Sequence, residues 1–101
     1  MAQFDVHRTR TAAVYPFVVN IQADVHAKLD VRLVAPMIAR SRYTQLLTRL
    51  TPAVIVREAD YVVLLPLLAA VPAASLGEII GSLAPHRDAL IAAVDLLVTG
   101  S

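Results

Sequence analysis

The chain has 101 residues, a formal net charge of +1, a 57% hydrophobic share and no cysteine. Disulfides, thiol catalysis and cysteine-held metals are therefore excluded, and the charge gives no general field to attract nucleic acid or anionic membrane. Eight of the nine basic residues are arginine, Lys28 being the exception. The mean hydropathy of +0.65 is high for one small domain. The longest apolar run, from Tyr61 to Ala74, is nevertheless broken by Pro66 and Pro72 and is shorter than the ~18 residues of a spanning helix. The start, Met1-Ala2-Gln3-Phe4-Asp5, lacks the basic and long apolar stretches of a signal peptide. The apolar surplus instead suggests a surface that another copy covers, and residence in the cytoplasm is expected.

Taken in order, Gln3 to Arg8 alternates, with Phe4 and Val6 on one face and Asp5 and His7 on the other, as a half-buried strand does. Val14 to Ile21 predicts a second strand, joined to the first by a short hairpin connection through Arg10 to Ala13, with Pro16 near its start. Gln22 to Asp30 reads as loop and Val31 to Ala35 as a third strand ending near Pro36. Met37 to Leu50 fits either a helical turn, because Leu46, Leu47 and Leu50 recur at helical spacing, or an ordered loop. Ala53 to Arg57 and Tyr61 to Leu65 are β-branched runs about Glu58-Ala59-Asp60, a hairpin with a three-residue loop. Leu67 to Val71 continues the sheet past a kink at Pro66. Leu76 to Leu83, with Gly77 and Gly81, reads as loop with one helical turn at most.

From Pro85 a helix is predicted. Proline suits a first helical position because its missing N–H would lack a partner there, and Gly100 is a natural stop. Leu90, Ile91, Val94, Leu97 and Val98 form one apolar stripe, while Ala89, Ala92, Ala93 and Leu96 form a second. A helix with two apolar faces calls for two partners, one its own sheet and the other a second copy of the chain. Ala92, Ala93 and Leu96 would permit the close approach of such a copy. Five or six strands followed by one helix predict an α+β domain over residues 1–101: a small, antiparallel, partly open, SH3-like β-barrel with one C-terminal α-helix.

Candidate chemistry is sparse. His7, His26 and His86 have no second ligand at metal-binding spacing, so no metal site is assigned. Arg8 and Arg10 lie two apart, as do Arg40 and Arg42. On an alternative fold reading they could clamp RNA phosphates, or dock an acidic, disordered peptide. The plainer reading is a solvated face. Asp88 and Asp95 lie two helical turns apart and read as a solvent ridge. No nucleophile elbow and no phosphate loop are visible.

Several strings, in order and spacing, resemble the CcdB family of bacterial toxins. They are Gln3-Phe4-Asp5-Val6, Phe17-Val18-Val19-Asn20-Ile21-Gln22-Ala23-Asp24, Arg32-Leu33-Val34-Ala35-Pro36, Thr51-Pro52-Ala53-Val54-Ile55-Val56, Leu68-Ala69-Ala70-Val71-Pro72, Leu76-Gly77-Glu78 and the final helix from His86-Arg87-Asp88 to Val98. The resemblance spans essentially the whole chain. It implies the toxin of a type II toxin–antitoxin module: a homodimer that is neutralised by a CcdA-like antitoxin and binds DNA gyrase, a type II topoisomerase, on the A-type chain of that enzyme. It further implies no catalytic site, no cofactor, no direct nucleic-acid contact and no membrane. Well-studied toxic members end in Trp-Gly-Ile, the gyrase contact; Thr99, Gly100 and Ser101 occupy those positions here, and only the glycine is shared. The alternatives are a MazF-like endoribonuclease toxin on a related barrel, with the arginine pairs at phosphate, and a family member that only binds antitoxin, whose acidic, disordered tail the same arginines could dock.

Overall fold

The computed structural model describes residues 2–9, 15–26 and 28–100. Seven antiparallel strands form one curled sheet: β1 (Asp5–Thr9), β2 (Phe17–Asn20), β3 (Val31–Ala39), β4 (Ala53–Val56), β5 (Ala59–Val63), β6 (Ala69–Pro72) and β7 (Leu76–Ser82). The order across the sheet is β4-β5-β3-β2-β1-β7, with β6 also paired to β3. The C-terminal helix α1 (Arg87–Thr99) closes over it. The expected α+β half-barrel with one C-terminal helix is thus what forms, with one strand more than the five or six predicted.

The core follows the alternation in the sequence. Val6, Val19, Ala35, Met37, Val54, Val56 and Val63 point inward from their strands and meet Leu90 and Ala93 of α1. The margins β4 and β7 approach at Val56 and Gly81, where a β-carbon on the glycine would stand 2.9 Å from Val56 Cγ1. They share no ladder, so the barrel stays half open.

Three local expectations are corrected, and one left open is decided. First, β3 does not end at Pro36 but runs through it to Ala39. In a strand a residue's N and O point to the same side, and the Pro36 carbonyl accepts from Leu64 N at 2.9 Å. The missing N–H therefore faces the interval where the neighbour of β3 changes from β6, paired with Val31–Val34, to β5, paired with Met37–Ala39. No ladder bond is lost there, so the proline is tolerated.

Second, the β4–β5 hairpin turns on two residues, not three: Ala59 already pairs with Val56. Arg57 and Glu58 carry the turn at φ 52° and 66°, the left-handed conformation whose twist suits a tight hairpin. Third, Leu76 to Ser82 is strand rather than loop or helix. Gly77 is needed there because the Arg8 carbonyl oxygen lies 2.4 Å from where a β-carbon would be. Irregular register around His7 accompanies this close approach.

The stretch Met37–Leu50, open between a helical turn and an ordered loop, begins as the end of β3 and holds its leucines in loop. After β3 comes a single 3₁₀ turn, Arg40–Arg42, and then an irregular segment in which Leu46 is 89% exposed. Thr48 and Thr51 close that segment: Thr51 N donates to Thr48 O at 3.0 Å, and Thr48 N to Thr51 Oγ1 at 2.9 Å.

Smaller adjustments are local. The first strand begins at Asp5, after Phe4 at φ 70°. β2 pairs with β1 as expected, although the connection through Arg10–Ala13 and Val14 lies outside the described residues. The kink at Pro66 is a 3₁₀ turn, Leu65–Leu67, that leads into β6. The 22–30 loop holds another such turn, Asp24–His26.

Candidate protein-binding surface

Helix α1 is set by its ends. Pro85 sits in a 3₁₀ turn (Ala84–His86) that feeds the helix, and Asp88 lies in the first turn, where the helix dipole favours a carboxylate. At the other end Gly100 adopts φ 79°, and its N–H donates to Leu96 O at 2.9 Å. Thr99 Oγ1 turns back to donate to Asp95 O at 2.6 Å. The Gly100 bond meets a carbonyl of the last turn, and the left-handed glycine fixes where the helix stops.

The two apolar stripes meet different fates. Leu90 and Ala93 are buried in the core, with Ile91 and Val94 packed half-buried against it. Ala93, expected at a subunit interface, is 1% exposed and belongs to the chain's own interior, because the helix rotates that edge of the second stripe toward the sheet. Ala92 is exposed and Leu96 half-buried. With Ala89, Asp95, Arg49 and Pro52 they line an open groove of about 470 Å³ between the helix and the 43–52 segment. Of the first stripe, Leu97 is partly exposed and Val98 is 72% exposed at the helix end. The target-contact positions of the resemblance fall at this projecting end. Thr99 and Gly100 are exposed, and Ser101 lies outside the described residues.

On its other flank α1 leaves a cleft of about 380 Å³ against the sheet, with Phe4, Ile21, Leu33, Ile91 and Val94 among its walls. Phe4 is held there by both backbone groups: its N–H donates to Asn20 O at 2.6 Å and its carbonyl accepts from Leu83 N at 2.8 Å. The Arg87 guanidinium lies 5.7 Å from its ring centroid. These contacts sustain the left-handed backbone of Phe4, unusual for a bulky residue.

The polar candidates do not converge. His7, read from alternation as facing away from the core, is buried. Its Nδ1 donates to the Gly77 carbonyl at 3.1 Å, because β7 comes in close over that part of β1. Its Nε2 is buried with no hydrogen-bond partner among the described residues. The signal that could have found this is the Gly77 match to a close backbone approach. His86 Nε2 accepts from Ile55 N at 3.4 Å, and His26 is exposed elsewhere. No three of the described His, Asp or Glu residues gather as a metal site would require. Arg8 pairs with Glu78 at 3.0 Å on the surface, Arg40 donates to Tyr43 O at 3.3 Å, and Arg10 lies outside the described residues. No described helix is long and apolar enough to cross a membrane.

The curled antiparallel half-barrel with one helix across it has a counterpart among solved structures. The Mycobacterium tuberculosis toxin MazF-mt6 shares it at a TM-score of 0.72 and 22% sequence identity, over 90% of this chain and 92% of that one. At that identity the likeness speaks to fold alone. No curated protein sequence matches this chain. The family model described as CcdB protein matches residues 3–100, and the chain belongs to the CcdB family. It is the toxin of a toxin–antitoxin system.

Proposed function

We propose that this toxin acts by binding rather than by chemistry: as a cytoplasmic homodimer it engages DNA gyrase and is neutralised by a CcdA-like antitoxin. Family membership over nearly the whole chain carries the reading. Helix α1 is compatible with it. Its outer groove at Ala92 and Leu96 offers small-residue relief for a second copy, and Val98, Thr99 and Gly100 project at its end. Ala93 is left out of that interface by its burial.

The apolar side chains that the last turn exposes, Leu97 and Val98, are aliphatic, where an indole would supply far more contact area. Interface anchors are typically aromatic, and truncating one costs about 2 kcal/mol or more. Gyrase inhibition is therefore expected at higher toxin concentration than for members with a tryptophan tail. A supercoiling assay with and without ATP tests this: inhibition with trapped cleavage supports gyrase as target, and unimpaired supercoiling at micromolar toxin rejects it. Growth-neutral expression combined with tight antitoxin binding would instead identify a member that binds antitoxin and poisons nothing. Total RNA is expected to stay intact on long incubation, and its cleavage would favour a MazF-like endoribonuclease.

A further inference from the structure

The mouth of the half-barrel carries a second feature that the binding helix does not use. Ladder register places Arg8 opposite Phe17, Phe17 opposite Met37, and Ala39 opposite Tyr61, so these side chains share the inner face of the sheet. Met37 is fully buried, whereas Phe17 and Tyr61 are half-buried: they cap the core and reach the rim. The two rings meet edge to face, with centroids 5.5 Å apart at 80°, and the Arg8 guanidinium carbon lies 5.5 Å from the Phe17 centroid. Tyr61 continues into an open cavity of about 430 Å³ that it lines with Arg40, Ser41 and Asp60. That volume lies in the ~300–1,000 Å³ range of small-ligand sites. None of its lining residues belongs to α1.

We propose that this rim binds single-stranded nucleic acid. Rings flanked by guanidinium groups are what such strands require: phosphates pair with the cations, and a base stacks on an aromatic face regardless of sequence. Across the strands the order is Arg8, Phe17, Arg40 at the end of β3, and Tyr61, so each ring has a guanidinium beside it: Arg8 at Phe17, and Arg40 on the cavity that Tyr61 lines. Phe17 already presents a face to Arg8, which leaves Tyr61, half-buried at the cavity edge, as the ring on which a base would stack. Asp60 and Ser41 beside it can accept hydrogen bonds from exocyclic amines of a stacked base. An acidic peptide, the other polyanion that arginines attract, would meet the carboxylates of Asp60 and Glu78 and have no use for a ring face. The Arg8–Glu78 pair is itself solvent-exposed, 52% and 68% by side chain, and such pairs exchange readily for a phosphate. At a net charge of +1, the binding rests on this local arrangement rather than on the field of the whole chain.

The test is fluorescence anisotropy of labelled mixed-sequence RNA and DNA hexamers with the full chain. With two phosphates neutralised, raising salt from about 50 to about 200 mM weakens binding about seven-fold. Tyr61→Leu weakens it about five-fold or more, the loss of one stacked base. Arg40→Ala weakens it and flattens the salt dependence, whereas Lys28→Ala, in the 22–30 loop, changes nothing. Arg40 is exposed, so its variant remains decisive if Tyr61→Leu unfolds the protein. Binding of both sugars supports a base-and-phosphate site, and a preference for RNA identifies the 2′-hydroxyl as an added contact. The proposal is overturned by no binding at about 50 mM salt and roughly 100 µM protein, or by binding indifferent to both rim variants. Competition by polyglutamate as effective as by unlabelled oligonucleotide also overturns it. None of these outcomes depends on whether gyrase is inhibited.

Discussion

The backbone of Gly77 in β7 sits directly against the carbonyl of Arg8 in β1, so close that a β-carbon on the glycine would fall 2.4 Å from that oxygen. The same approach brings the Gly77 carbonyl within reach of His7 Nδ1. Gly77→Ala must push the two strands apart, and both the ladder and the histidine bond suffer. A loss of about 2–3 kcal/mol is expected, the scale of overpacking in a tight interior. Urea unfolding of the variant beside the parent measures it, and an unchanged midpoint would show that β7 can move aside freely.

The β4–β5 turn is built from residues poorly suited to it. Arg57 and Glu58 both hold positive φ, a conformation that disfavours side-chain-bearing residues by about 1 kcal/mol or more each. Replacing them with the Asn-Gly pair that such turns prefer is expected to stabilise the fold by about 1 kcal/mol. A rise in thermal midpoint with unchanged secondary structure is the readout. No gain would mean that these two side chains contribute something beyond the turn.

Adjacent alanines on α1 should part company under the same substitution. Ala93→Arg forces a charge into the core beside Leu90 and is expected to cost more than about 3 kcal/mol, preventing folding. Ala92→Arg, on the exposed side, should leave the monomer fold intact and abolish self-association. Circular dichroism and sedimentation velocity separate the two effects. A folded Ala92→Arg protein that still dimerises removes this helix face from the interface.

Gly100 ends the helix in a left-handed conformation, and a β-carbon added there would meet nothing within 4 Å, so conformation rather than crowding is what a replacement disturbs. Gly100→Val should cost about 1–2 kcal/mol and fray the last turn, weakening the Thr99–Asp95 bond. If the helix end is the target contact, binding falls more steeply than stability. Isothermal titration against the antitoxin and against gyrase, run beside thermal melts, shows whether it does.

What sequence alone could show follows from the range of each interaction. Alternation at Phe4 and Val6 and the glycine that ends α1 are local signals, and they specified the inward face and the helix stop correctly, whereas the α-helix opens at Arg87, two residues after Pro85. Pro36 and the run from Leu76 to Ser82 misled because their meaning is non-local. A proline inside a strand is acceptable where no neighbouring strand calls on its missing N–H, and two glycines weaken a strand unless another backbone leans on them. The burial of His7 and of Ala93 has the same origin, since each depends on which element comes across it. Helical spacing placed Ala93 and Ala92 on one stripe, but one residue's rotation, about 100°, separates interior from surface. The rim of Arg8, Phe17, Tyr61 and Arg40 was visible only as scattered arginines, because its aromatic members come from strands more than forty residues apart in the chain.

Strand β1 finds its outer neighbour in β7, Asp5 opposite Ser82, so a segment that leaves the ribosome early waits for one that emerges late. A polypeptide wired in this way cannot complete its sheet until most of it has been translated. Whatever surface the finished sheet presents is therefore assembled only near the end of synthesis, not while the first half of the chain is emerging.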